Sequence, residues 1–386
     1  MNIVKTLAIC LVCLAAASCE SVSLNVTPSR EEPPPAGPDL SLKGVARIVS
    51  RLPMGSEHIR EVYDAVNSSS SNGYDEEYTM ERLFNSPGAG VGSADTKAAG
   101  TYENPLRELF TDYFLSEVST KAGSAADVES YINALRESDM QIYWPYSEQW
   151  DGQTYPLITF DPGLGAEANY AFEVRMDESG ARVVDSVLVD EAVARTRPVW
   201  VINTNDDSAF TPMELYQETK AETSSEAQGS RILKLKSFTM KRNYDSWFAG
   251  ASEFMIRCGS VQDFKAKTEA ELSQYNPLIT DMMVVVKRSQ VGKEIEIGTL
   301  LMPGFTDQLE NIAFMVTEDD GGVRTSWKCS ATVKIASKSY GFDVELPFNS
   351  KDDIVWRGQI PAGFFKENGG VNTGRFGDVQ ITFEMD

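Results

Sequence analysis

Histidine is nearly absent: His58 is the only one among 386 residues. Zinc sites built on two or three imidazoles therefore cannot form, and any Ser-His or Cys-His relay would have to run through that one ring. His58 lies in Ser56-Glu57-His58-Ile59, where Ser56 reads as a helix N-cap, so the expectation is a solvated surface histidine and not a general base. No Gly-x-Ser-x-Gly elbow and no Walker loop occur. Gly88-Ala89-Gly90-Val91-Gly92 lacks both the preceding strand and the glycine spacing of a dinucleotide fingerprint.

Basic residues are scarce as well. There are 35 Lys and Arg against 57 Asp and Glu, for a net charge of -22. The densest basic stretch, Lys234-Leu235-Lys236 with Lys241-Arg242, alternates with apolar residues as a half-buried strand does. Nucleic acid is excluded as a partner, because phosphate backbones are gripped by clustered Lys and Arg. An acidic surface also repels anionic lipid headgroups, and after Ala17 no apolar run is long enough to cross a bilayer.

The first nineteen residues differ from all that follows. A single Lys5, an apolar run from Leu7 to Ala17 and the small residues Ala16-Ala17-Ser18 before Cys19 predict a secretory signal over 1–18. The closing cysteine resembles a bacterial lipobox. That resemblance implies cleavage before Cys19, acylation of Cys19, attachment to a membrane through the acyl chains, and a place in the outer membrane or cell envelope. Of five cysteines, Cys10 and Cys13 would leave with the signal, so Cys258 and Cys329 remain. An even pair in an exported chain predicts a disulfide; the alternative is two buried free thiols on neighbouring strands.

Residues 19–40 carry Pro28, Pro33, Pro34, Pro35 and Pro38 with few apolar side chains, the composition of an extended tether. Across 41–138 the apolar spacing is helical: Ile59, Val62, Tyr63 and Val66 form one face, Leu106, Leu109, Phe110, Tyr113, Phe114 and Val118 a second, and Val128, Tyr131, Ile132 and Leu135 a third. Ser86 to Gly100 reads as a loop. From Asp139 the period becomes two, and turns such as Asp161-Pro162-Gly163 predict antiparallel hairpins over 139–217. A polar break from Glu218 to Ser230 separates these from about nine further short strands over 231–386, the pattern of a β-sandwich. The predicted class is α+β: a small helical N-terminal region, an antiparallel β-rich middle and a C-terminal sandwich.

Two groups of residues are candidates for chemistry. Tyr143, Trp144 and Trp150 lie in the densest aromatic stretch, which reads either as a stacking platform for sugar rings or as core packing beside a Pro turn. Asp245, Glu253, Asp319, Asp320 and Asp352 lie in acidic turns between predicted strands, and loops at one end of a sandwich can supply the oxygens calcium requires. Asn243 to Glu253 followed by a strand, with the later Glu318-Asp319-Asp320-Gly321 turn, resembles the calcium loops of C2-like sandwiches. With the lipobox and tether, the whole chain resembles exported lipoproteins of Bacteroides-type bacteria. The absence of any catalytic relay, beside loops carried on sheets, predicts a lipid-anchored binding or scaffold protein without catalytic activity, able to hold calcium as a cofactor and to take a glycan or protein as ligand. The rival expectation is a glycan-processing enzyme built on two facing carboxylates, and a third is an adhesion subunit with an unpaired sheet edge.

Overall fold

Helix α1, Leu42–Arg51, begins where the Ser41 hydroxyl accepts a hydrogen bond from the Gly44 amide at 3.1 Å, satisfying one of the four amides a helix start leaves open. The structure, a computed structural model, describes residues 37–85, 105–120, 124–177, 179, 182–205 and 231–386. The signal, Cys19, most of the tether, the Ser86 to Gly100 loop and the polar break lie outside these residues. Among the described residues no helix is long and apolar enough to cross a membrane.

The protein is α+β. After α1 come α2 (Ser56–Ser71), the short strand β1 (Glu77–Thr79), α3 (Met80–Phe84), α4 (Pro105–Thr120) and α5 (Ala125–Arg136). Then follow β2 (Met140–Tyr143), β3 (Leu157–Phe160), β4 (Ala168–Met176), β5 (Arg182–Asp190), the single-turn helix α6 (Glu191–Ala194) and β6 (Val199–Thr204). One sheet takes the order β1-β2-β6-β3-β4-β5. Its β4–β5 pair is the expected hairpin, but β3 runs parallel to β6, with Ile158 opposite Trp200. The run Val199-Trp200-Val201-Ile202 is apolar throughout because both faces of β6 are covered. Trp200 and Ile202 meet the helices, in one core with Val49, Ile59, Phe110 and Leu135. Val199 and Val201 meet Trp247 and Phe248 on the opposite face. The helical stretch therefore shares its core with the sheet and contributes β1 to it.

His58 is not the solvated residue its position suggested. It is buried on α2, and its Nδ1 accepts a hydrogen bond from the Gly55 amide at 2.9 Å. It caps the helix from the third position because Gly55, not Ser56, is the N-cap.

The C-terminal half contains β7 (Arg231–Met240), β8 (Ser252–Ser260), β9 (Leu278–Val286), β10 (Ile295–Phe305), β11 (Leu309–Glu318), β12 (Arg324–Ile335), β13 (Lys338–Asn349), β14 (Asp353–Pro361), the short helix α7 (Ala362–Lys366), β15 (Val371–Phe376) and β16 (Val379–Met385). One sheet orders β10-β7-β16-β15; the other orders β13-β12-β11-β8-β9, with β14 also on β11. The two sheets enclose one core, in which Phe314 of β11 meets Phe376 and Phe383 of the facing sheet at ring separations of 5.4 and 5.7 Å. Gly259 on β8 has a packing reason: a Cβ there would come within 2.3 Å of Val344 Cγ1, so only glycine admits β13 this close.

The expected disulfide is absent. Cys258 and Cys329 are free thiols. Strand β8 bonds to β9 and β11, and β12 bonds to β11 and β13, so the two cysteines are not cross-strand neighbours. Cys258 is sealed in the core, where burial pushes its thiol up to about 12. Cys329 is half-buried, with its Sγ 3.5 Å from the Val344 carbonyl oxygen, and burial pushes it up to about 11.

Candidate functional site

Three acidic side chains converge where β8 begins and β11 ends. One carboxylate oxygen each of Asp245, Glu253 and Glu318 lies within 4.8 Å of the others. Glu253 sits at the second position of β8. Glu318 closes β11, opposite Phe254 of β8 and Asp353 of β14, and Asp245 comes from the loop joining β7 to β8. The Asp319 amide donates to the Glu253 carbonyl at 2.9 Å, which locks the two strand ends together.

Glu318 is the unusual member. Its exposure is 0 %, and neither carboxylate oxygen has a hydrogen-bond donor. Asp245 Oδ2 likewise has none. A buried carboxylate without donors is costly and is resolved either by a proton or by a cation. Burial, followed by the nearby Asp245 carboxyl, drives Glu318 well above the usual carboxylate range, and burial also raises Asp245. Asp320, exposed on the turn, is pushed up to about 6 by partial burial and then by the negative charge of Asp245, Asp353, Asp352 and Asp319. Asp161, from the loop after β3, adds to the field at Asp245. The donor set is all oxygen, which suits a hard divalent cation and not zinc or copper.

The expected ligand set is thus divided. Asp245 and Glu253 are brought together, with Asp320 at the rim. Asp319 is a turn-forming residue: its Oδ1 accepts from the Gly321 amide at 2.9 Å and from Asn349 Nδ2 at 3.0 Å. Asp352 accepts through Oδ2 from the Asn349 amide at 2.9 Å and from Thr317 Oγ1 at 3.4 Å, with Oδ1 unpartnered. Thr317 in turn accepts from Arg257 Nη1 at 3.0 Å. Asp319 and Asp352 therefore hold the turns that carry the site. Glu318 was the residue missing from the expected set. Its signal was parity, since it continues the alternation Ile312, Phe314, Val316 and so belongs to the inner face of its strand.

The aromatic candidates separate as well. Tyr143 and Trp144 are buried, so neither offers a ring face for sugar stacking. Trp144 packs edge-on against Tyr63, Trp150 and Trp200. Core packing is the role of both: Tyr143 ends β2 in the cluster with Trp247 and Phe248, and Trp144, the next residue, lies in the core shared with the helices. Trp150 alone is half-exposed. It borders a cavity of about 140 Å³ lined also by Trp144, Tyr146, Asp151, Thr154, Arg195 and Pro198. Asp151 is occupied there, since hydrogen bonds from Thr154 and Gln153 hold its carboxyl down at about 2.

Comparison with protein-family models, curated proteins and solved structures finds no match to this chain.

Proposed function

We propose that this is a lipid-anchored extracytoplasmic binding or scaffold protein without catalytic activity, whose β-rich C-terminal half holds a divalent cation. The observation that carries the cation is the pair of unpartnered oxygens on fully buried Glu318, facing Asp245 and Glu253. Calcium fits best, because it takes about six to eight oxygens in flexible geometry, and exposed Asp320 and Asp353 stand beside the three acids to complete a shell with water. The lipid anchor and envelope location rest on the residues around Cys19. The enclosure of Glu318 favours an ion over a sugar between these carboxylates, which argues against a glycan-cleaving pair there.

Melting the purified protein in millimolar calcium and in excess chelator, with calorimetric titration alongside, tests this reading. A ligand bound only by the native state stabilises it by about 2.7 kcal/mol at a hundredfold excess over its dissociation constant. An unchanged melt with no binding heat sinks the cation reading.

A glycan ligand has one observation in its favour, the cavity of about 140 Å³ beside Trp150, where aromatic and polar side chains share one lining. Retention on a glycan array, lost in Trp150→Ala, is its test; silence across the array ends it.

A further inference from the structure

Loop 241–251, between β7 and β8, serves two parts of the fold at once. Trp247 and Phe248 are fully buried against Tyr143, Leu157 and Val201 of the N-terminal sheet. Trp247 Nε1 donates to the Glu167 carbonyl at 3.0 Å. Asn203 Nδ2 donates to the Phe248 carbonyl at 3.1 Å and also to that of Ala249. The Ala251 amide donates to Asp75 Oδ2 at 3.0 Å. Two residues before Trp247, Asp245 turns its carboxylate the other way, toward Glu253 and Glu318 of the C-terminal half.

We infer that a hard divalent cation at this site fastens loop 241–251, so that its occupancy and the seating of Trp247 and Phe248 against the N-terminal sheet are linked. The inference rests on the cation reading above. Without a cation, neither Asp245 Oδ2 nor either Glu318 oxygen is held by a donor, so the Asp245 side chain lacks a tether to the strand ends. A shared cation draws Asp245 toward Glu253 and Glu318, and the short span to Trp247 passes that restraint to the plug. Such coupling is reciprocal, since whatever loosens the plug must weaken the ion by the same factor. The cation therefore acts as a joint regulator, tightening the contact between the two halves of the described fold.

Hydrogen exchange on the purified protein, with calcium alone as the probe, reads the loop directly. Exchange in peptides covering 241–251 should slow at least about tenfold on calcium addition, while the β12–β13 hairpin stays unchanged. Calorimetry on Trp247→Ala should show calcium affinity reduced about fivefold or more. Asn203→Ala, which removes only the hydrogen bonds to the plug, serves should the tryptophan variant fail to fold. Calcium binding with unaltered loop exchange and unaltered affinity in Asn203→Ala would overturn the linkage and leave the site standing. Absence of calcium binding would overturn both.

Discussion

Arg288 donates through Nη2 to the main-chain carbonyl of Asp245 at 2.6 Å. A guanidinium with 3 % side-chain exposure thus grips the backbone of the acidic residue. The same fork reaches the Gly250 carbonyl through Nε at 3.2 Å and Glu191 Oε1 through Nη1 at 3.4 Å. One planar side chain therefore holds both ends of the plug and ties them to α6.

Lysine cannot reproduce that fork. Arg288→Lys should lose about 2–3 kcal/mol, on the scale of one or two hydrogen bonds to a charged group. Denaturant unfolding of the variant beside the parent measures it. Equal midpoints and slopes would show that the fork is dispensable.

Glu318→Gln separates the cation from the proton at this corner. Without cation it should leave stability at neutral pH nearly unchanged, because Glu318 held far above the usual carboxylate range carries a proton there and an amide donates to Asp245 much as that carboxyl does. With calcium, the stabilisation expected of the parent should vanish. Paired melts of parent and variant, each with calcium and with chelator, separate these effects.

A second buried acid, outside the three-acid cluster, sets a pH dependence of its own. Glu76 has an exposure of 0 %; one oxygen accepts from Ser147 Oγ at 3.0 Å and the other has no donor. Burial pushes it up to about 8. The folded state therefore holds a proton that the unfolded state releases near the ordinary glutamate value, so this contribution is full at low pH and is lost as pH rises through about 8. Glu76→Gln should flatten the fall in stability between roughly pH 4.5 and 8 and stabilise the protein above it by a few kcal/mol, since each tenfold change in proton affinity is worth about 1.4 kcal/mol. Urea midpoints across that range check the sign; a parent midpoint that rises with pH while the variant stays flat contradicts it.

Both remaining thiols should take up alkylating reagent after unfolding without reductant, giving an intact mass with two labels beyond any carried at the N-terminal cysteines. In the native state Cys329 should label slowly and Cys258 not at all, because burial raises both and seals only Cys258. A species that labels only after reduction would mean a bridge.

Much of the strand content was legible because alternation survives wherever one face of a sheet is wetter than the other. Strand β7, Arg231–Met240, is readable for this reason, with Leu233 and Leu235 inward and Lys234 and Lys236 outward. The parallel pairing of β3 with β6 was not legible, since the choice of partner is made by strands and helices distant in the chain. Strand β15, Val371–Phe376, was hidden because Asn372, Thr373 and Gly374 give it no apolar run. At the site, Asp245 and Glu253 were readable as acids beside strands. Glu318 was harder to find because it opens a run of acids that looks like a solvated turn, although its position in the β11 alternation assigns it to the interior. Tyr143 and Trp144 were ambiguous for the opposite reason, since an aromatic-rich segment has the same composition whether it faces a ligand or a core.

The plug also decides how this protein can be taken apart. Composition suggests cutting at the polar stretch before Arg231, but the fragment beginning there would carry Trp247 and Phe248 into water, each an aromatic that buries about 150–250 Å². The complementary fragment would bare Tyr143, Leu157, Val199 and Val201. Each fragment would gain a contiguous sticky surface, and the excised sandwich would precipitate or self-associate. In this fold the half that holds the acids and the half that holds the helices are inherited together.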